Sequence, residues 1–216
     1  MAIDPILEKK RPAAKNKFIP AIMMGSLILV VLVSTLLFRA AVTGRIDLPA
    51  LLGTKNSGVL IQPPRAIAEL SLQSSSGDPF DFAKQPKQWR IAIPVGSHCD
   101  EQCQQTLYIT RQINISLGKD ADRVRRYLIA TEYPLDAEFE NLLKQYPKLE
   151  VLRVDAAEFS QYFARADLQP LQNHQYFVID PAGWLMMYYG PQHAGKAVMK
   201  DLKFLLTNSH EQEGSS

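Results

Sequence analysis

The stretch Trp89-Arg90-Ile91-Ala92-Ile93-Pro94-Val95-Gly96-Ser97-His98-Cys99-Asp100-Glu101-Gln102-Cys103 decides how this chain is read. Residues 89–95 form an apolar run of the kind found in a buried strand. From Gln102 to Leu117 the residues Thr106, Ile109, Ile113 and Leu117 fit helical spacing. The turn between them holds both cysteines of the chain, four residues apart. On a helix, residues i and i+4 stand one above the other on the same face. Their Cα atoms are then about 6 Å apart, within reach of a disulfide. A helix N-terminus stabilises thiolate through its dipole, whereas Asp100 and Glu101 disfavour a further negative charge. The same carboxylates attract an approaching cation. A structural disulfide, dithiol redox chemistry and a soft-metal site all remain open at this point.

The 216 residues carry a formal net charge of +2, unevenly spread. Residues 1–17 hold Lys9, Lys10, Arg11, Lys15 and Lys17 against Asp4 and Glu8, a net +3. Residues 18–65 add Arg39, Arg45, Lys55 and Arg65 against Asp47, another +3, which leaves −4 for residues 66–216. An acidic C-terminal part speaks against nucleic acid as a partner. Phe18 to Phe38, FIPAIMMGSLILVVLVSTLLF, contains no charged residue. As a helix it spans roughly 30 Å, the thickness of a bilayer core. A cleaved signal peptide has a shorter apolar core and a small-residue cleavage site, so a retained anchor is expected. The basic residues before it place the N-terminus inside. Residues 39–216 then lie outside the cytoplasmic membrane, in a periplasm for a Gram-negative source, where disulfides persist.

The expected order is a cytoplasmic segment 1–17, a transmembrane helix 18–38, a linker 39–65, a folded domain 66–208 and a disordered tail 209–216. The linker is read from Gly44, Pro49, Gly53, Gly58, Pro63 and Pro64. Ala66–Leu72 alternates like a first strand, and Phe80 and Phe82 suggest a second. Strands follow at 125–131, 149–154, 176–179 and 184–189, the last two joined as a hairpin by Asp180-Pro181-Ala182-Gly183. Helices are expected over 136–146 with Asp136 as N-cap, after Asp155, and over 194–206. Alternating strands and helices ending in an antiparallel hairpin give an α/β fold, a mixed sheet with helices on both faces. This is the thioredoxin arrangement, preceded by one N-terminal transmembrane helix.

Several segments together resemble the membrane-tethered Sco proteins: Leu72 with Gly77-Asp78-Pro79-Phe80, the strand 89–95, Ser97-His98-Cys99-x3-Cys103-Gln104-Gln105-Thr106-Leu107, Gly118 to Val124, and Tyr176 to Gly183. The likeness covers roughly residues 60–207, and the single N-terminal anchor matches as well. Sco proteins are thioredoxin-like copper chaperones and thiol reductants that serve assembly of the copper site in subunit II of cytochrome c oxidase. The resemblance implies copper ligation by Cys99, Cys103 and His174, and a partner in the oxidase or among its other assembly factors. Where the family has proline after each cysteine, this chain has Asp100 and Gln104. His174 also lies about two residues nearer the Pro-x-Gly turn than is usual, a shift that preserves the strand face.

Three functions follow as expectations. One is a Sco-like copper chaperone using Cys99, Cys103 and His174. Another is a membrane-anchored thiol–disulfide oxidoreductase in which Cys99 attacks and Cys103 resolves. The third is a non-catalytic oxidase assembly protein on the same frame. His98 is a neighbour able to tune the thiolate when protonated, and a surface histidine otherwise. Asp155 and Asp180 are expected as cap and turn residues, His193 as a surface or capping group, and Met186-Met187 as core. The chain shows no P-loop, Rossmann glycine pattern, zinc quartet or Ser-His-Asp motif, which counts against nucleotide-binding and hydrolase classes.

Overall fold

The structure, a computed structural model, describes residues 19–42, 56–166 and 168–209. The segment 1–17, most of the expected linker, Asp167, and His210 with the rest of the tail lie outside the described residues. The chain divides into two units, 1–54 and 55–216.

In the first unit, helix α1 covers Ile19–Val42. Its window Ile22–Arg39 has a mean hydropathy of 2.2 and no side chain buried against protein. It is long and apolar enough to cross a membrane.

The second unit is built on a seven-stranded sheet. In chain order its strands are β1 (Val59–Ala66), β2 (Gln73–Ser74), β3 (Trp89–Val95), β4 (Val124–Ala130), β5 (Leu149–Arg153), β6 (Tyr176–Ile179) and β7 (Trp184–Tyr189). Across the sheet they run β1-β7-β6-β3-β4-β5-β2. The pairs β3–β4 and β4–β5 are parallel, and all other pairs are antiparallel. The helices are α2 (Glu101–Ser116), α3 (Ala137–Leu143), α4 (Ala156–Ala164) and α5 (Gly195–Asn208).

Strand β3 is central and buried along its whole length. Its alternate residues Trp89, Ile91, Ile93 and Val95 join one core with Leu107 and Ile113 of α2 and Val198 and Leu202 of α5. Ala92 faces the other core, with Tyr127, Ile129, Phe159, Phe163 and Phe177. This two-residue alternation puts one side chain in each core at every step. Burial on both faces explains why β3 reads as an unbroken apolar run.

The mixed α/β, thioredoxin-like fold class is as expected, and the N-terminal part of the domain differs in detail. The linker does not extend to residue 65, because β1 occupies 59–66 and pairs with β7. β1 stands at the sheet edge with an irregular register between Leu60 and Arg65. An edge position with a bulge is where a sheet accepts Pro63-Pro64. The strand expected over 66–72 is instead a short 3-10 turn at Ile67–Glu69 leading to the two-residue β2. Phe80 and Phe82 do not form a strand. Asp81 accepts a bond from Ala83 N and opens a 3-10 turn there, while both rings pack edge-on against Tyr127.

Candidate functional site

The cysteine turn leaves the C-terminal end of β3. Parallel pairing with β4 runs to Val95 and Ala130 and is extended by Thr131 N donating to Val95 O. The loop after β4 then grips the turn from one side. Asp136 N donates to Ser97 O at 2.8 Å. Glu132 Oε2 accepts from Ser97 Oγ at 2.6 Å and from Ser97 N at 3.1 Å. These bonds, helped by the charge of His98, hold the Glu132 carboxyl below its ordinary range.

Asp100 opens helix α2. Its backbone is extended, and its Oδ1 accepts from Cys103 N at 2.8 Å. This is N-capping by an aspartate, which satisfies one of the orphan donors of the first turn. The helix therefore starts at Glu101, between the cysteines. Cys99 lies just outside it and Cys103 in its first turn. They are joined by a disulfide with a Cα–Cα distance of 5.2 Å. Cys103 is buried among the core residues, whereas Cys99 is partly exposed. His98 is exposed beside it. A cleft of about 340 Å³ adjoins the disulfide, lined by His98, Cys99, Gln104, Asp136, Phe139 and Leu142 among others.

His174 arrives from the turn before β6. Its Nε2 is 3.7 Å from Asp100 Oδ2, so the fold brings this distant histidine to the residue between the two cysteines. The pair is partly exposed, with side-chain accessibilities of 29% for His174 and 50% for Asp100. His174 has φ 45°, the left-handed region, where His and Asn occur more readily than most residues. Among the described residues no three His, Cys, Asp or Glu side chains are gathered as a metal site. The disulfide ties up both sulfurs.

A family model described as "Transmembrane-like, thioredoxin-like, C-terminal domain" matches residues 89–209, more than half of the chain. The chain belongs to this family. Comparison with curated proteins finds no match. Among solved structures, yeast Sco1 matches with a TM-score of 0.55 at 15% identity, over 70% of this chain and 97% of that one. Apo Sco1 from Thermus thermophilus matches with 0.53 at 17% identity, over 71% and 98%. Copper-bound ScoI from Arabidopsis thaliana matches with 0.53 at 14% identity, over 69% and 99%. At these identities the likeness is one of fold.

The remaining residues singled out in this thioredoxin-like domain have structural roles. Asp155 Oδ1 caps α4 by accepting from Ala157 N and Glu158 N. Asp180 Oδ1 accepts from Trp184 N in the hairpin turn. His193 Nδ1 accepts from Gly190 N. Met187 is core and takes a contact from Tyr189 Oη. Glu132 was not legible in the sequence, because it reaches Ser97 from a different loop. The capping role of Asp100 was legible in principle: an aspartate just before a helical pattern is a start signal.

Proposed function

We propose that this protein is a membrane-anchored, Sco-like copper chaperone for a respiratory oxidase, with Cys99, Cys103 and His174 as the copper ligands. The observation that carries this function is the approach of His174 to Asp100, which sets an imidazole beside the turn that holds the two sulfurs. α1 is the anchor, with the N-terminus inside and the thioredoxin-like domain in a periplasm. Yeast Sco1 and Arabidopsis ScoI have each been solved with copper bound, and they share the fold at low identity.

The donor set fits the cargo. Two thiolates and an imidazole are soft and borderline ligands suited to Cu(I), and they also accept Cu(II). The oxidised form cannot load, because both sulfurs are spent in the S–S bond. Loading requires a two-electron thiol donor, which converts the disulfide to two thiols by exchange. Each thiol then gives up its proton on binding metal. The exposed Asp100 and Glu101 carboxylates favour an approaching cation at this turn.

The disulfide itself favours a second function, membrane-anchored thiol–disulfide exchange. The partly exposed Cys99 is the sulfur open to a partner, and the buried Cys103 is placed to resolve a mixed disulfide.

The test is an anaerobic Cu(I) titration of the reduced full chain in detergent against a chromophoric chelator, with Cys99→Ser, Cys103→Ser and His174→Asn alongside. Asparagine tolerates the left-handed backbone of position 174, so this variant removes the imidazole and spares the turn. One copper per chain, abolished by either serine and weakened by the asparagine, is expected. Binding that survives both serine substitutions sinks the chaperone. Turnover of a disulfide substrate without copper, unaffected by His174→Asn, then supports the exchange function.

A further inference from the structure

Helices α2 and α5 lay their buried faces on one core, to which Leu107 and Ile113 of α2 and Val198 and Leu202 of α5 belong. They pack closely: a Cβ on Gly195 would stand 3.2 Å from Cγ2 of Ile109. Their outer faces mix cations with bare apolar side chains. Tyr108 and Ile115 of α2 and Phe204 of α5 are each more than half exposed. A groove of about 290 Å³ runs between the helices, with Ile109 and Met199 in its lining. Lys196, Lys200 and Lys203 stand exposed on α5. The one acid of α5, Asp201, is turned inward and accepts from Ser57 N, Gly58 N and Tyr189 Oη. No acidic residue follows Glu101 on α2. Among the described residues none of the three lysines has a carboxylate partner.

The rest of the domain is charged the other way. α3 carries Glu138 and Glu140, and α4 carries Glu158, with no lysine or arginine on either. Residues 66–216 are net −4, so three uncompensated lysines on one helix run against the composition. Lysines set beside exposed Tyr, Phe and Ile are the combination favoured at a membrane interface. There the rings and aliphatic chains enter the headgroup–acyl boundary and the ammonium groups meet anionic headgroups. The chain also keeps a bilayer within reach. Because Ser57 N and Gly58 N donate to Asp201, the tether joins the domain at α5. Only residues 43–55 separate α1 from Asn56, at most about 45 Å of chain.

We propose that the outer face of α2 and α5 docks on an anionic bilayer surface, with Lys196, Lys200 and Lys203 on the headgroups and Tyr108, Ile115 and Phe204 at the acyl boundary. The proposal rests on α1 being the anchor and is independent of copper. The bilayer that attracts α5 repels the acidic α3, so one face is selected. α2 starts at the cysteine turn, and Tyr108 follows Cys103 by about 8 Å along the helix. Docking therefore holds the disulfide close to the membrane surface.

The experiment uses the full chain in nanodiscs of mixed phosphatidylcholine and phosphatidylglycerol, doped with a gadolinium-chelating lipid. Paramagnetic broadening of backbone amides is read residue by residue. Selective broadening of Tyr108, Ile115, Lys200 and Phe204 is expected, with Glu138 and Glu140 spared. Discs of phosphatidylcholine alone should lose it. One lysine near an anionic surface is worth about fivefold, so Lys196→Gln/Lys200→Gln/Lys203→Gln should weaken docking roughly a hundredfold. The three side chains are exposed and glutamine is a good helix former, so this variant keeps the fold. A chain that does not enter the discs overturns the anchor, and the docking with it. A chain that enters them with these amides unbroadened overturns the docking alone and leaves a protein partner to cover this face. Equal broadening in neutral discs, or in the triple variant, overturns the recognition of anionic lipid by the lysines.

Discussion

Asp100 serves two groups at once: its Oδ1 caps α2 at Cys103 N, and its Oδ2 faces His174 Nε2 at 3.7 Å. The first contact has hydrogen-bond geometry. The second is a longer electrostatic contact between two partly exposed groups. Their energies should therefore separate by substitution. Asp100→Ala removes cap and charge and should cost about 1 kcal/mol of stability. Asp100→Asn keeps a capping oxygen and loses only the charge facing His174, so it should stay within about 0.5 kcal/mol of the parent. Thermal denaturation of the two variants decides the matter. Equal losses would mean that the charge, and not the cap, is what Asp100 contributes.

The disulfide closes a short loop, with a sequence separation of 4. Loop-closure entropy for about five residues predicts that reduction lowers stability by only about 2 kcal/mol. Cys103 is one residue among the many apolar side chains of the core under α2 and α5, and the core on the other face of β3 holds no cysteine. The reduced protein is therefore expected to stay folded, which both the chaperone and the exchange functions require. Comparing Tm with and without a phosphine reductant, with Cys99→Ser/Cys103→Ser as the control, measures this. Loss of the folded transition on reduction would make the bond a structural staple.

What could be read in the sequence was whatever local chemistry dictates. β3 is apolar because both its faces are buried, and its meeting with a helix start at the cysteines is a local pattern. Asp136 and Asp155 cap the helices they were expected to cap. β1 was hidden because Pro63-Pro64 reads as tether, and only pairing with β7, far along the chain, makes it a strand. Phe80 and Phe82 look strand-like because they are apolar, yet they are anchors packed on Tyr127. At the site, the cysteines announced themselves by spacing. The grip of Glu132 on Ser97 and the meeting of His174 with Asp100 are products of topology, which no local pattern encodes.

The Glu132–Ser97 contact gives a pH prediction. Hydrogen bonds from Ser97 Oγ and N, with the charge of His98, depress the Glu132 carboxyl below the ordinary glutamate range. A depressed carboxyl favours the folded state above the unfolded pKa, and that contribution disappears as pH falls through the folded pKa. The Ser97 amide resonance should thus titrate with a midpoint below that of an ordinary glutamate. Glu132→Gln should abolish that titration. A midpoint at or above that of an ordinary glutamate would show that the contact does not persist in solution.

Asp201 sets where a stable soluble fragment can begin. It is 2% exposed on α5, and its Oδ2 accepts from Ser57 N at 2.7 Å, Gly58 N at 2.9 Å and Tyr189 Oη at 3.0 Å. Gly58 must be glycine here, because a Cβ would fall 2.6 Å from Cζ of Tyr189. A fragment starting at residue 59 keeps all of β1 but deletes both amide donors, and so leaves a buried carboxylate with one partner. It should be less stable than a fragment of residues 55–216 by about 3 kcal/mol, the scale of lost hydrogen bonds to a charged group. In the longer fragment Asp201→Ala should cost a similar amount, since three donors then lack their acceptor. Gly58→Ala should cost about 1–3 kcal/mol by overpacking against the Tyr189 ring. Urea denaturation of the four proteins measures all three differences. Equal midpoints for the fragments starting at 55 and 59 would show that Ser57 and Gly58 are not part of the folded unit.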